Sequence, residues 1–197
     1  INGWVRSGSE LLILSGGGKR GPVTWTAASE LPASIFEIPA FEIRTIDGSA
    51  PPVHEDTSER SVGLPPCRVA MLAIDTDWEF AERIFGGDAS AAAAYALTLA
   101  AGISEIYVEN VNVRLQVSFL RVWSDDSDPY DPSSGVDMLD QFRNEWTSNM
   151  GGVDRNIAHM MTGRTNLPYG GVAWLSVLCN TNYGYGVSGY LNGYFPN

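Results

Sequence analysis

Apolar and polar positions alternate in short runs over the first fifty residues. Trp4-Val5-Arg6 and Leu11 to Leu14 flank Ser7-Gly8-Ser9, a pattern that predicts a β-hairpin. Val23 to Trp25, Ile35 to Ile38 and Phe41 to Ile46 are further strand candidates, so residues 1–50 read as a small β-rich segment. The pattern then breaks. Asp47-Gly48 opens the break, and Pro51-Pro52, Glu55-Asp56, Glu59-Arg60 and Pro65-Pro66 give residues 51–66 a linker composition, with His54 as a solvent-exposed side chain. An exposed polar linker is where chains are nicked, which points to the neighbourhood of Arg60.

From Arg68 the periods lengthen. Arg68 to Asp75 is a near-continuous apolar run and predicts a strand buried on both faces. Asp88 can cap a helix running to about Asn110, with Ala92, Tyr95, Ala96, Leu99, Ile103, Ile106 and Tyr107 on one face. Val111 to Trp123 alternates, Val113, Leu115, Val117 and Phe119 one way and Arg114, Gln116 and Ser118 the other, which predicts a strand with one wetter face. Strand, helix and strand make a parallel crossover unit. Ser133 or Ser134 can cap a second helix with Val136, Leu139, Phe142 and Trp146 inward, closed by Gly151-Gly152.

Three short runs follow: Ile157 to Met161, Val172 to Leu178 and Tyr185 to Leu191. Gly, Pro and Asn between them predict strands joined by tight loops. The middle run opens on Gly170-Gly171, where bare backbone lets another extended chain approach. An edge strand of this kind can take a peptide as one more strand. Gly171, Val172, Ala173, Trp174 and Leu175 are therefore the candidate substrate-binding residues, through their backbone. His159, alone in its strand, reads as a packed or hydrogen-bonded side chain.

Composition narrows the possibilities. Hydrophobic residues make up 44% of the 197 and charged residues 18%, which suits a globular chain. The net charge of −11 and the single lysine, Lys19, disfavour a nucleic-acid or anionic-membrane partner. No apolar run reaches the roughly 18 residues a spanning helix needs. Gly16-Gly17-Gly18 lacks the G-K-[ST] ending of a phosphate loop, since Lys19 precedes Arg20 and Gly21. No G-x-S-x-G accompanies His159, and nothing singles out a glycosidase carboxylate pair. The acidic loop Asp125, Asp126, Asp128, Asp131 reads either as solvated or as a calcium site, although its spacing is not that of an EF-hand. Cys67 and Cys179 either form one bridge or stay free. Abundant Trp, Tyr, Gly and Asn with scarce Lys fits an extracellular or periplasmic, secreted protein.

The order A-H-M-M-T-G (residues 158–163), then G-V-A-W-L-S-V-L-C (171–179), then Gly186-Val187 resembles the metzincin zinc metallopeptidases, in particular the reprolysin (adamalysin-like) branch. The resemblance covers residues 67–197. It implies an α/β (α+β) fold: a mixed, mostly parallel twisted sheet of about five strands with two main helices. This would be the N-terminal part of a metallopeptidase-like catalytic domain. The segment 1–50 would be the end of a propeptide and 51–66 the linker. In that branch, H-E-x-x-H-x-x-G-x-x-H on the next helix supplies three zinc histidines and the general-base Glu, which activate water to hydrolyse a peptide bond. No such motif occurs here, and His54 and His159 are the two histidines. The resemblance thus implies a secreted zinc-dependent endopeptidase truncated before its zinc helix. Zinc is expected in the full-length protein, with no catalytic or metal residue, and no activity, in this chain. The partner it implies is a polypeptide along the edge strand. A structural calcium common in the branch is not expected, because its Glu position is Met71 here. The cysteine matching Cys179 usually pairs beyond the zinc helix, which leaves a Cys67–Cys179 bridge as the rival, and a thiolate switch at Cys67 as a third arrangement. Loss of the zinc helix would bare Val172 to Leu178 and Tyr185 to Leu191 and predicts either self-association or a longer parent chain. The alternative is a non-catalytic protein-binding or structural module on the same scaffold.

Overall fold

The computed structural model describes residues 3–7, 10–16, 23–27, 41–44, 68–131 and 137–194, the first three stretches as backbone. Its strands are β1 (Gly3–Ser7), β2 (Glu10–Gly16), β3 (Val23–Ala27), β4 (Phe41–Arg44), β5 (Arg68–Thr76), β6 (Val113–Arg121), β7 (Ile157–Met161), β8 (Gly171–Trp174) and β9 (Tyr185–Ser188). The helices are α1 (Ala89–Val111) and α2 (Met138–Asn149), and a π-helical turn covers Phe80–Ile84. β1, β2 and β3 form an antiparallel sheet in which Ser7 faces Glu10, as the Ser-Gly-Ser turn predicts. The expected strand at 35–38, the linker with His54 and Arg60, Cys67, Ser133 and Ser134 lie outside the described residues.

The larger sheet has the order β4-β8-β9-β7-β5-β6. β5 pairs in parallel with both β6 and β7, β7 pairs in parallel with β9, and β8 runs antiparallel to β9. This is the mixed, mostly parallel α/β sheet of five strands that was expected, with β4 added in parallel on the outer side of β8. A central parallel strand is covered on both faces, which is why β5 reads as a continuous apolar run. Ala73 faces the cluster built on α2, while Leu72 and Ile74 face the cluster built on α1.

Four local expectations need correction. The buried face of α1 follows Ala92, Tyr95, Ala96, Ala100 and Ser104, and its last turns leave the sheet, so Ile106 and Tyr107 are 49% and 46% exposed. In β6 a bulge intervenes: Leu72 pairs with Val117 but Ala73 pairs with Phe119, leaving Ser118 as the extra residue. The bulge switches faces, so Val117 packs toward α1 while Phe119 packs against Trp146 of α2 at 5.8 Å. Asp137 caps α2, its carboxylate accepting from the Leu139 amide at 2.9 Å. Val172, Val177, Tyr185, Val187 and Leu191 are not bared: all are under 9% exposed, and of the two runs only Leu178 stands out as an exposed large apolar residue. Val172, Tyr185 and Val187 point at α2, on the face that needs no further cover.

Candidate functional site

Ligands of open α/β sheets collect at the carboxyl ends of the strands. Here those ends carry two buried acid–arginine clusters. Asp75, the penultimate residue of β5, is fully buried and accepts from the Tyr130 hydroxyl at 2.7 Å, the Trp146 indole at 2.7 Å and the Arg121 Nε at 2.9 Å. Arg121 reaches on to Glu145 at 3.1 Å. Asp77, also fully buried, accepts from the Phe80 amide at 2.9 Å, the Gly163 amide at 3.0 Å and the Thr162 hydroxyl. Arg164 lies against Asp77 at 3.3 Å and Glu79 at 3.0 Å and donates to the Tyr130 carbonyl at 2.6 Å. Burial pushes the Asp77 carboxyl up to about 6, helped by Glu79 and opposed by Thr162, Gly163 and Arg164. Every oxygen of these carboxylates is engaged with protein, so both clusters tie loops together rather than offer a vacant ligand position. A sequence signal existed in Asp75-Thr76-Asp77, acids closing an apolar run, but it carries no record of their arginines.

The other region is β8. The structure places Gly171, Val172, Ala173 and Trp174 in the strand and Leu175 just past its end. The expectation that this strand is the sheet's edge is corrected, because β8 lies between β9 and β4. Phe41 pairs with Gly171, Glu42 with Val172, Ile43 with Ala173 and Arg44 with Trp174, and the Leu175 amide donates to the Arg44 carbonyl at 2.7 Å. A glycine-led strand of four residues has few side chains to turn away a neighbour, and the neighbour it takes is a segment of its own chain.

Arg44 anchors that segment. Its Nη1 and Nη2 donate to the two oxygens of Asp137 at 3.2 and 3.1 Å, and its Nε donates to Glu42 at 2.8 Å. Burial alone would lower the Arg44 pKa, but the bonds to Glu42 and Asp137 outweigh it and raise it. Asp137 also accepts from the Tyr169 hydroxyl at 2.9 Å. Burial, then the Asp137 charge, raises the Tyr169 pKa, so the hydroxyl stays a donor. Beside β8, Trp174 meets Tyr183 edge to face at 5.4 Å, and Arg143 lies over Tyr183 at 4.4 Å. Sequence reasoning missed Arg44, Asp137 and Tyr169. Arg44 and Asp137 are separated by 93 positions, with no local pattern linking them.

His159 is held as expected for a strand histidine, its Nε2 2.9 Å from the Ser188 hydroxyl oxygen. Gly186 makes room for it, since a Cβ there would meet its Nδ1 at 3.0 Å. Burial lowers its pKa to about 4. In the acidic loop, Asp125 accepts from the Ser127 amide within the turn, while Asp128 accepts from the Tyr130 amide and from the distant Trp78 amide, tying the loop to the segment after β5. Cys179 is exposed, and its Sγ accepts from the Asn156 side-chain Nδ2 at 3.3 Å.

Among the described residues no three His, Cys, Asp or Glu side chains are grouped to hold a metal. With Ser188 on His159 and one other histidine in the sequence, the residues present do not fit a three-histidine zinc site. The family comparison gives a reprolysin-type model of metallo-peptidase family M12 matching residues 66–194. No curated protein matches the chain. Members of this family generally use zinc.

Proposed function

Because the chain belongs to metallo-peptidase family M12, we propose that it is the sheet-bearing part of a secreted zinc-dependent endopeptidase that holds a polypeptide along β8. The observation that carries this reading is β4. The outer N–H and C=O groups of β8 take an extended segment as one more strand, which is how sheet edges capture peptides. Gly171, Val172, Ala173 and Trp174 supply that backbone, and the Leu175 amide adds the next contact. A substrate has to displace β4 from this position. Residues 1–50 then act as a propeptide, and cleavage of the linker near Arg60 would release them. The described residues bring no zinc-binding set together, and no chemical step is assigned to residues of this chain.

The longer reading frame is the test. The expected results are H-E-x-x-H past Asn197, zinc bound by the longer protein, and peptide cleavage lost on chelation. Cleavage that persists without metal overturns the zinc reading. A longer protein with neither metal nor cleavage leaves the second reading, a non-catalytic polypeptide-binding module, which the seating of β4 on β8 also favours.

A further inference from the structure

We propose that Asp137, with Tyr169 beside it, is a recognition pocket for the guanidinium of an arginine carried by an extended peptide on β8, with Arg44 as its resident ligand. This rests on the reading that β8 takes a polypeptide, and it adds the chemical class that is preferred.

Three features make a pocket rather than an incidental ion pair. First, the contact is a fork. Two guanidinium nitrogens meet two carboxylate oxygens at 3.2 and 3.1 Å, a match that a lysine ammonium, a point charge, cannot reproduce. Second, the acceptor is aimed before any arginine arrives. The Leu139 amide holds one Asp137 oxygen at 2.9 Å from the first turn of α2, and the Tyr169 hydroxyl holds the other at 2.9 Å. A site whose acceptor is fixed by a helix cap and a second side chain is preorganised. Third, side chain and backbone are read together. The residue whose guanidinium fills the fork gives its carbonyl to the Leu175 amide at 2.7 Å, so an arginine there is recognised only on an extended segment in register with Trp174.

The setting suits exchange. Arg44 and Asp137 side chains keep 22% and 26% of their surface, whereas the Asp75 side chain keeps none. β4 is four residues long and touches the sheet along one side, so its release opens the fork without disturbing β9 or α2. A free Asp137 keeps its two protein donors and remains a preset acceptor.

The experiment uses the full chain with Arg44→Ala, which loosens the resident strand, and a fluorescent peptide of residues 38–47 read by anisotropy. Matching peptides carry Ala or Lys in place of the arginine. The arginine peptide should bind at least about tenfold more tightly than the alanine peptide, with the lysine peptide between them. Adding Asp137→Asn to the same chain should erase the difference while keeping the helix cap, since Asn caps as well as Asp. Equal affinities, discrimination that survives Asp137→Asn, or no binding of any peptide each overturn the proposal. A second measurement avoids the Arg44 variant. In the chain with Asp137→Asn alone, hydrogen exchange at the Leu175 amide should quicken about tenfold while Val187 is unchanged, and unaltered Leu175 exchange also overturns it. Binding is read without hydrolysis. A longer protein that cleaves nothing sinks the peptidase reading alone, and one that cleaves with no preference for arginine sinks this one alone.

Discussion

Asp75 and Asp137 each hold an arginine, yet they do opposite things. Asp75 sits at the end of the central strand with no exposed surface and five donor groups from three elements and a loop. Its arginine keeps 20% of its side-chain surface, but the carboxylate it meets keeps none. Asp137 sits at the rim, and its arginine arrives on a four-residue strand that is the outermost of the sheet among the described residues. A buried ion pair is costly to break because the survivor is stranded, whereas a rim pair costs little and can be exchanged. The same two residue types thus give a rivet in one place and a latch in the other, and burial decides which.

The largest expected effect tests the rivet. Arg121→Ala leaves Asp75 buried without its main partner and should lower the free energy of unfolding by about 3–5 kcal/mol in urea titration. A loss under about 1 kcal/mol would put Asp75 in the same class as Asp137. Next comes pH. Burial keeps His159 neutral, with a pKa of about 4 against its ordinary 6.5, so the native state binds fewer protons than the unfolded chain in that window. The stabilisation is full above 6.5, falls as pH drops toward 4, and levels off below, amounting at most to about 3 kcal/mol. Asp77 works the other way, because its raised pKa favours the native state at low pH and that contribution is lost as pH rises through about 6. His159→Gln isolates the imidazole: the acid loss between 6.5 and 4 should shrink in a pH series of thermal melts.

Gly163→Ala probes the loop that closes over Asp77. A Cβ at this position would meet the Glu79 carbonyl oxygen at 2.1 Å, so backbone must move, at a cost of about 1–3 kcal/mol by chemical denaturation. The smallest effect belongs to the latch. Arg44→Ala should change global stability by no more than about 1 kcal/mol, while the Leu175 amide loses its protection from exchange. A global loss as large as that of Arg121→Ala would make β4 a structural strand and erase the contrast between the two regions.

Local rules were legible in the sequence. Asp88 before an alanine-rich run gives the N-terminus of α1, its carboxylate bonding the Ser90 and Ala91 amides at 3.0 Å, as capping predicts. The apolar run at 68–75 gives the doubly covered β5. Leu139, Phe142 and Trp146 give the inner face of α2, and the A-H-M-M-T-G block with its followers gives the family. Each of these depends on neighbours within one or two turns of chain. Where a rule needed a partner's register it failed: the alternation in β6 was read without the Ser118 bulge, so Phe119 was assigned to the wrong face.

The sequence by itself determined which stretches become strand or helix, and that β8 has backbone open enough to take a neighbour, because propensity, capping and periodicity are short-range. Tertiary structure alone decided who that neighbour is. Pairing β4 with β8 joins segments more than a hundred positions apart, and the fork between Arg44 and Asp137 depends on where α2 begins relative to that pairing. Burial is likewise a property of the assembled sheet. It alone turns Asp75 into a permanent fastening and leaves Asp137 within reach of water.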